Sequence, residues 1–231
     1  MTDVVYGRRP VYEALRGRRE VGMVWCTARS RESADWLPER TAVEPAERLA
    51  ARAGSEEHQG VVAEVAPYPY SGAAEVLAGE RPLVVALDEV TDPHNLGAVA
   101  RVAECAGAGG LVITKRRSAA VTAAVCRASA GAVEHLRIAR VENLAEFLLG
   151  AKRPGLWSYG AAAEAATAYD AADYVDGAIF VLGAEGRGLR PRVRSACDAE
   201  VAIPLGGRIG SLNVSTAAAV LLFEARRQRG G

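Results

Sequence analysis

Only four cysteines occur in the 231 residues, Cys26, Cys105, Cys126 and Cys197. They are widely spaced and form no C-x-x-C pair, which argues against both a disulfide framework and a zinc cluster. Three stand in alanine- or valine-rich stretches, where a free cysteine behaves as a small buried hydrophobe, so a catalytic thiol is disfavoured. No apolar run approaches the roughly 20 residues that span a bilayer. The opening MTDVVYGRRP lacks the apolar centre of a secretory signal, and a cytoplasmic protein with no membrane partner is the expectation. No G-x-x-x-x-G-K-[ST] phosphate loop occurs anywhere. The G-x-x-G-x-G at 183–188 departs from the dinucleotide fingerprint. NTPase and nicotinamide-dependent oxidoreductase chemistry are disfavoured accordingly.

Lysine is nearly missing: 26 of the 28 basic residues are arginine, balanced by 28 acids. A net charge of zero excludes a uniformly basic surface but hides the distribution. Residues 1–31 hold Arg8, Arg9, Arg16, Arg18, Arg19, Arg29 and Arg31 against Asp3, Glu13 and Glu20. Further clusters are KRR at 115–117, RGLRPRVR at 187–194 and RRQR at 226–229. Arginine forks phosphate and stacks on bases, so these clusters suit an RNA surface; any single one also suits a solvated face.

Half the residues are hydrophobic, enough for a sizeable core. Residues 1–70 read as a small α/β unit. Val11, Ala14 and Leu15 share a helix face behind Pro10, VGMVWCTA at 21–28 is a buried strand, and VEPAERLAARAG at 43–54 is a helix closed by glycine. Val61, Ala63 and Val65 alternate in a second strand within 59–70. Residues 71–81 read as a linker with room for one short helix. From 82 to 231 the rhythm is strand then helix. Strands are expected at 83–88, 110–114, 136–139, 156–159, 178–183 and 200–203. Helices are expected at 95–107, 119–130, 142–150, about 163–170, 187–196 and 213–228. That alternation predicts a mostly parallel sheet covered on both faces.

Three blocks in this second unit end strands with polar or glycine-rich loops: TDPHNLGAVAR at 91–101, FVLGAEGRGL at 180–189 and IPLGGRIGSLNVS at 203–215. Taken one at a time, each has an ordinary structural explanation. Asn95 could cap the helix after it, Ser211 and Asn213 could cap another, Glu185 could be a loop acid, and the glycines could only turn the chain. The three histidines read as structural: His58 in a turn, His94 satisfied by backbone, and His135 at a strand edge.

In this order, the three blocks closely resemble the signature motifs of the SpoU (TrmH-type) RNA 2′-O-ribose methyltransferases. CRASAGAVEHLRIARVENL at 126–144 fits that family too, while VYGRRPVYEAL and HQGVVAEV look like the ribosomal-protein-like substrate domain of its RlmB-like branch. The resemblance implies an α/β fold whose C-terminal domain is a SPOUT-type trefoil knot, binding S-adenosylmethionine and working as a homodimer. The family's catalytic positions fall on Asn95, Arg101, Glu185, Ser211 and Asn213, and its cofactor contacts on Gly183, Ile203 and Leu212; no metal is implied. A knot would account for the glycine density, because threaded backbones pass closely. Methyl transfer to a ribose hydroxyl is an in-line displacement. It needs positioning and a donor for the developing oxyanion, and Arg101 suits that role better than the role of a base. Glu185 and Asn95 would orient Arg101 and the ribose, while Asn213 holds the loop.

Arg208 stands where relatives carry a small or apolar residue, and residues 29–57 follow the family only loosely. The expected substrate is RNA, a guanosine of 23S rRNA; a tRNA methyltransferase and an antibiotic-resistance rRNA methylase are alternatives. A non-catalytic RNA-binding or ribosome assembly factor is the reading from a different class.

Overall fold

The computed structural model describes residues 2–184 and 186–230. Glu185, one of the expected catalytic residues, lies outside the described residues.

The N-terminal part builds a four-stranded sheet in the order β1-β4-β2-β3, from Asp3–Tyr6, Val61–Val65, Val21–Cys26 and Ala42–Val43. Helix α1 (Arg8–Ala14) starts at Gly7, whose φ of 100° suits glycine, and α2 covers Ala28–Ser33. Helix α3 (Ala46–Ala53) ends at Gly54 in the left-handed region, as the sequence predicts. Strand β4 buries more than its alternating face. Val61, Ala63 and Val65 point into the main core, while Val62 packs with Tyr6 and Leu49 under α3.

Six parallel strands form the second sheet, in the order β10-β8-β9-β5-β6-β7. They are β5 (Leu83–Asp88), β6 (Gly110–Thr114), β7 (Arg137–Val141), β8 (Leu156–Ala161), β9 (Gly177–Gly183) and β10 (Ala199–Val201). Every residue of β5 is buried, as a central strand covered on both faces requires. Val85, Leu87, Phe180 and Leu182 face the layer of α5 (Pro93–Cys105) and α9 (Val214–Gln228). Val84, Ala86, Ile179 and Val181 face the layer of α7 (Leu144–Ala151) and α8 (Pro191–Ala196). Helix α6 (Ala123–Ala128) packs on α5 at Gly97, where a Cβ would lie 2.5 Å from that of Ala128.

The helix expected near 163–170 does not form, despite its alanines. Residues 162–169 instead clasp the chain leaving β10: Ala162 N–H donates to Val201 O (3.0 Å), Ala202 N–H to Thr167 O (2.9 Å), and Tyr169 N–H to Ala202 O (2.8 Å). Backbone groups used there cannot close helical turns, so tertiary contacts override propensity. Only some of the glycines expected to mark a threaded passage are tightly approached. Close backbone passage holds at Gly183, where a Cβ would lie 2.1 Å from the backbone of Gly188, but not at Gly206 or Gly210, where it would meet open space. The other helices after β6 are shorter than expected, α6 and α8 having six residues each. No helix is long and apolar enough to cross a membrane among the described residues.

The two sheets are clamped together by a buried polar cluster. The Arg19 guanidinium, 2% exposed, pairs with the Glu134 carboxylate, 1% exposed, through an Nε–Oε2 bond of 2.9 Å, and it also donates to Cys126 Sγ at 3.2 Å. The Tyr68 hydroxyl lies 2.8 and 2.9 Å from the carbonyls of Val133 and Leu136. The expected linker is itself packed: Ser71 N–H donates to Ile138 O, and α4 (Ala73–Val76) lies on β7. Cys26 and Cys126 are buried as expected of small hydrophobes. Cys105, at the last turn of α5, is exposed because that turn ends at the surface, and Cys197 is half-buried.

Candidate active site at the carboxyl ends of the central strands

Strand order reverses around β5, whose neighbours are β9 and β6, so the carboxyl ends of β5 and β9 flank a crevice where parallel sheets hold ligands. Beside it is a cavity of about 480 Å³ whose lining includes Leu182 and Gly183 of β9, Ile203 after β10, and Ser211 and Leu212 before α9. The three expected cofactor positions, Gly183, Ile203 and Leu212, therefore meet in one place. Its volume and its lining of aliphatic side chains with close-passing glycine backbone suit a nucleoside-sized ligand. Arg194, also on the wall, is held by Glu200 (2.6 Å) and Glu164 (2.5 Å), which raise its pKa further.

Helix α5 begins with Asp92 as its cap, accepting from His94 N–H at 2.9 Å, and Pro93 in its first turn. Asn95 is thus not the capping residue. Its Oδ1 accepts from Asn213 Nδ2 at 2.8 Å. Asn213 does cap α9: its Oδ1 accepts from Ser215 N–H at 2.8 Å, leaving the amide nitrogen to reach α5. Asn95 and Asn213 are brought together, and Ser211 stands two residues from Asn213 on the cavity wall.

Arg101 is placed elsewhere. It is six residues past Asn95, about 9 Å along the helix axis, exposed, and it lines a second groove with Arg9, Tyr12 and Arg16 of the N-terminal part.

Sequence reasoning missed a network that anchors the loop after β9. The side chain of Asp88, the last residue of β5, is 0% exposed; it accepts from Arg190 N–H at 2.9 Å and from Arg190 Nε at 2.8 Å. Arg190 also reaches Glu89 at 2.9 Å, and Arg117 reaches the same carboxylate at 3.0 Å. Glu89 has φ 57°, a left-handed conformation that a glutamate adopts only when its surroundings compel it. Hydrogen bonding to Asp88 raises the Arg190 pKa. The only hint in the sequence is two acids at a strand end; their arginine partner is 102 positions away from Asp88.

Two of the three histidines are structural, while His94 is exposed in the first turn of α5 and bonds to Asp92 through its backbone N–H. His58 Nδ1 accepts from Gly60 N–H at 3.0 Å, and His135, at the close of a 3-10 turn before β7, meets Glu13 at 2.8 Å. Burial pushes the Cys126 and Cys197 thiols up to about 12, so neither supplies a thiolate at neutral pH.

Known proteins share this architecture. Residues 82–223 match the SpoU rRNA methylase family model, and residues 4–71 match the model for RNA 2′-O ribose methyltransferase substrate binding. A Burkholderia 23S rRNA (guanosine-2′-O-)-methyltransferase RlmB is 47% identical over 189 residues, covering 80% of this chain and 76% of that protein. An uncharacterized tRNA/rRNA methyltransferase of Synechocystis is 38% identical over 245 residues; the match covers 99% of this chain, which spans 63% of that relative's length. Among solved structures, the SpoU methyltransferase AviRb of Streptomyces viridochromogenes with bound AdoMet superposes with a TM-score of 0.84 at 26% identity, covering 100% of this chain and 91% of that one. Two matched models in the expected order, a parallel sheet of the matching fold, and the converged Gly183, Ile203 and Leu212 lead to one conclusion: the chain belongs to the SpoU rRNA methylase family.

Proposed function

We propose that the chain methylates the 2′-hydroxyl of a ribose in RNA, using S-adenosylmethionine, and that the target is a guanosine of 23S rRNA. The observation that carries this reading is the Asn95–Asn213 bond beside a cavity lined by Gly183, Ile203, Ser211 and Leu212. The guanosine follows from the 47% identical relative of that printed activity. A tRNA substrate is the second reading, favoured by the tRNA/rRNA name of the Synechocystis relative.

Gly183, Ile203 and Leu212 would hold the cofactor, with aliphatic surface for its base and backbone groups for its polar atoms. When bound, it supplies an electrophilic methyl group on a sulfonium. Asn95, Asn213 and Ser211 would orient the ribose toward that methyl, so that a C–O bond forms as the C–S bond breaks to leave a neutral thioether, with the hydroxyl proton passing to an adjacent RNA phosphate. Arg101 lies away from this pocket in its own chain, so in the homodimer it would serve the pocket of the partner subunit, where, always a cation, it stabilises charge developing on that oxygen and holds the neighbouring phosphate. Glu185, by the family resemblance, would help orient the target ribose and the arginine that serves it. Residues 1–70 deliver the RNA, residues 71–81 join the parts, and residues 82–231 carry the knotted catalytic domain. The working form is a homodimer in the cytoplasm.

The test is ribose-methylation mapping of total RNA from cells with and without the protein. Loss of one mark on a 23S guanosine is expected, loss of a tRNA mark selects the second reading, and an unchanged map refutes both. Purified Arg101→Ala should bind S-adenosylmethionine normally while transferring methyl at least about a hundredfold more slowly.

A further inference from the structure

The groove holding Arg101 belongs to both parts of the molecule. Its lining joins Arg101 of α5 to Arg9, Tyr12 and Arg16 of α1, and a second hollow beyond them adds Arg8 and Trp36 while sharing Arg9 and Tyr12. The two hollows measure about 500 and 560 Å³, each room for a nucleoside. Tyr12 is the hinge of this surface. Its ring meets Trp36 edge-on at 5.3 Å, the guanidinium groups of Arg9 and Arg16 each lie 5.3 Å from its centre, and Arg16 also donates to its hydroxyl at 3.1 Å.

Charge favours an anion along this path. Three acids face it: Glu13 is 13% exposed and already paired with Arg9 at 3.0 Å and His135 at 2.8 Å, and Glu104 and Asp35 are the others, against the four arginines Arg8, Arg9, Arg16 and Arg101. Four arginines flanking two aromatic rings combine forks for phosphates with platforms for bases. The buried Arg19–Glu134 pair fastens α1's neighbourhood to the turn before β7, so the surface runs from one part onto the other.

We infer that the strip Trp36–Tyr12–Arg16–Arg101 is a track for unpaired RNA, on which a base flanking the target stacks at Tyr12 while its phosphates run to Arg101 of the same chain. Bases inside an A-form duplex are stacked on one another and cannot reach Tyr12, so the track selects a loop or bulge over a helix. It rests on the proposed reaction only for the identity of the anion as RNA.

Fluorescence anisotropy of the full chain tests it with two probes: a synthetic RNA hairpin whose loop carries unpaired guanosines, and a blunt RNA duplex of equal length. Wild type should prefer the hairpin. Tyr12→Ala should weaken hairpin binding about tenfold or more, and Tyr12→Phe, which keeps the ring, should restore it. Arg9→Ala/Arg16→Ala should make the slope of log affinity against log salt shallower by about 1.4, from two lost phosphate contacts on a single strand. S-adenosylmethionine affinity, measured by calorimetry, should stay at the wild-type value in every variant, which establishes that each is folded. Equal binding of duplex and hairpin overturns the inference, as does unaltered hairpin binding by Tyr12→Ala and the double variant. Absence of methyl transfer by wild type, with Tyr12-dependent hairpin binding intact, would refute the reaction and leave the track standing.

Discussion

Asn213 Nδ2 donates to Asn95 Oδ1 across 2.8 Å of space and 118 positions of sequence. The same Asn213 side chain caps α9 through its oxygen, so one residue serves both the helix and the site. Serine caps a helix as well as asparagine but is too short to reach α5. Asn213→Ser should therefore keep a melting temperature within about 2 °C of wild type. Its methyl transfer to RNA should fall about a hundredfold, because the bond that ties Asn95 to the start of α9 is lost. Differential scanning calorimetry beside a single-turnover assay separates the two effects.

Asp88 anchors the loop after β9 through Arg190, with two bonds to a charged group. Asp88→Ala should lower stability in urea by about 2–3 kcal/mol. It should also weaken S-adenosylmethionine binding, read by calorimetry, because Gly183 and Gly188 lose the support that keeps their backbones adjacent. Asp88→Asn keeps the shape and removes the charge, and should fall between wild type and alanine on both readouts.

Breaking the Arg19–Glu134 pair leaves an uncompensated charge in the seam between the sheets. Arg19→Met should cost about 3–5 kcal/mol, whereas Arg19→Met/Glu134→Leu should recover most of the loss, since an apolar pair of similar volume needs no desolvation of ions. Chemical denaturation of the two single variants and the double variant completes the cycle.

Glu224 on α9 accepts from Arg227 Nε at 2.8 Å and from Gln228 at 2.8 Å, and the Arg227 bond holds its carboxyl down at about 2. The unfolded chain would titrate it near about 4.3. A depressed carboxylate stabilises the fold fully above that value, and its contribution disappears as pH falls toward 2. Glu224→Gln should melt below wild type at pH 7, with the gap closing between about pH 4.5 and 2 in a series of thermal melts.

Much of the fold is legible in local patterns. The apolar runs at 83–88, 110–114 and 178–183 coincide with β5, β6 and β9 to within a residue, because a strand covered on both faces must be apolar throughout. The long helices α5 and α9 start within two residues of where their cap signals put them. Strands β1 and β3 are not legible: four and two residues carry too little pattern, and pairing with β4 and β2 makes them strands. The alanine-rich stretch at 163–170 misleads for the opposite reason. Its strong helical propensity yields to backbone bonds with Val201 and Ala202.

By itself the sequence determined the six strands of the second sheet, its two long helices, the three loop blocks and hence the family, since periodicity, caps and motif spacing depend on residues a few positions apart. Tertiary structure alone decided that Asn95 meets Asn213, that Asp88 holds Arg190, and that Arg101 faces Tyr12 rather than Ser211. Those pairings arise because sheet order and helix packing bring distant backbones together, and no local propensity carries information about a partner a hundred residues away.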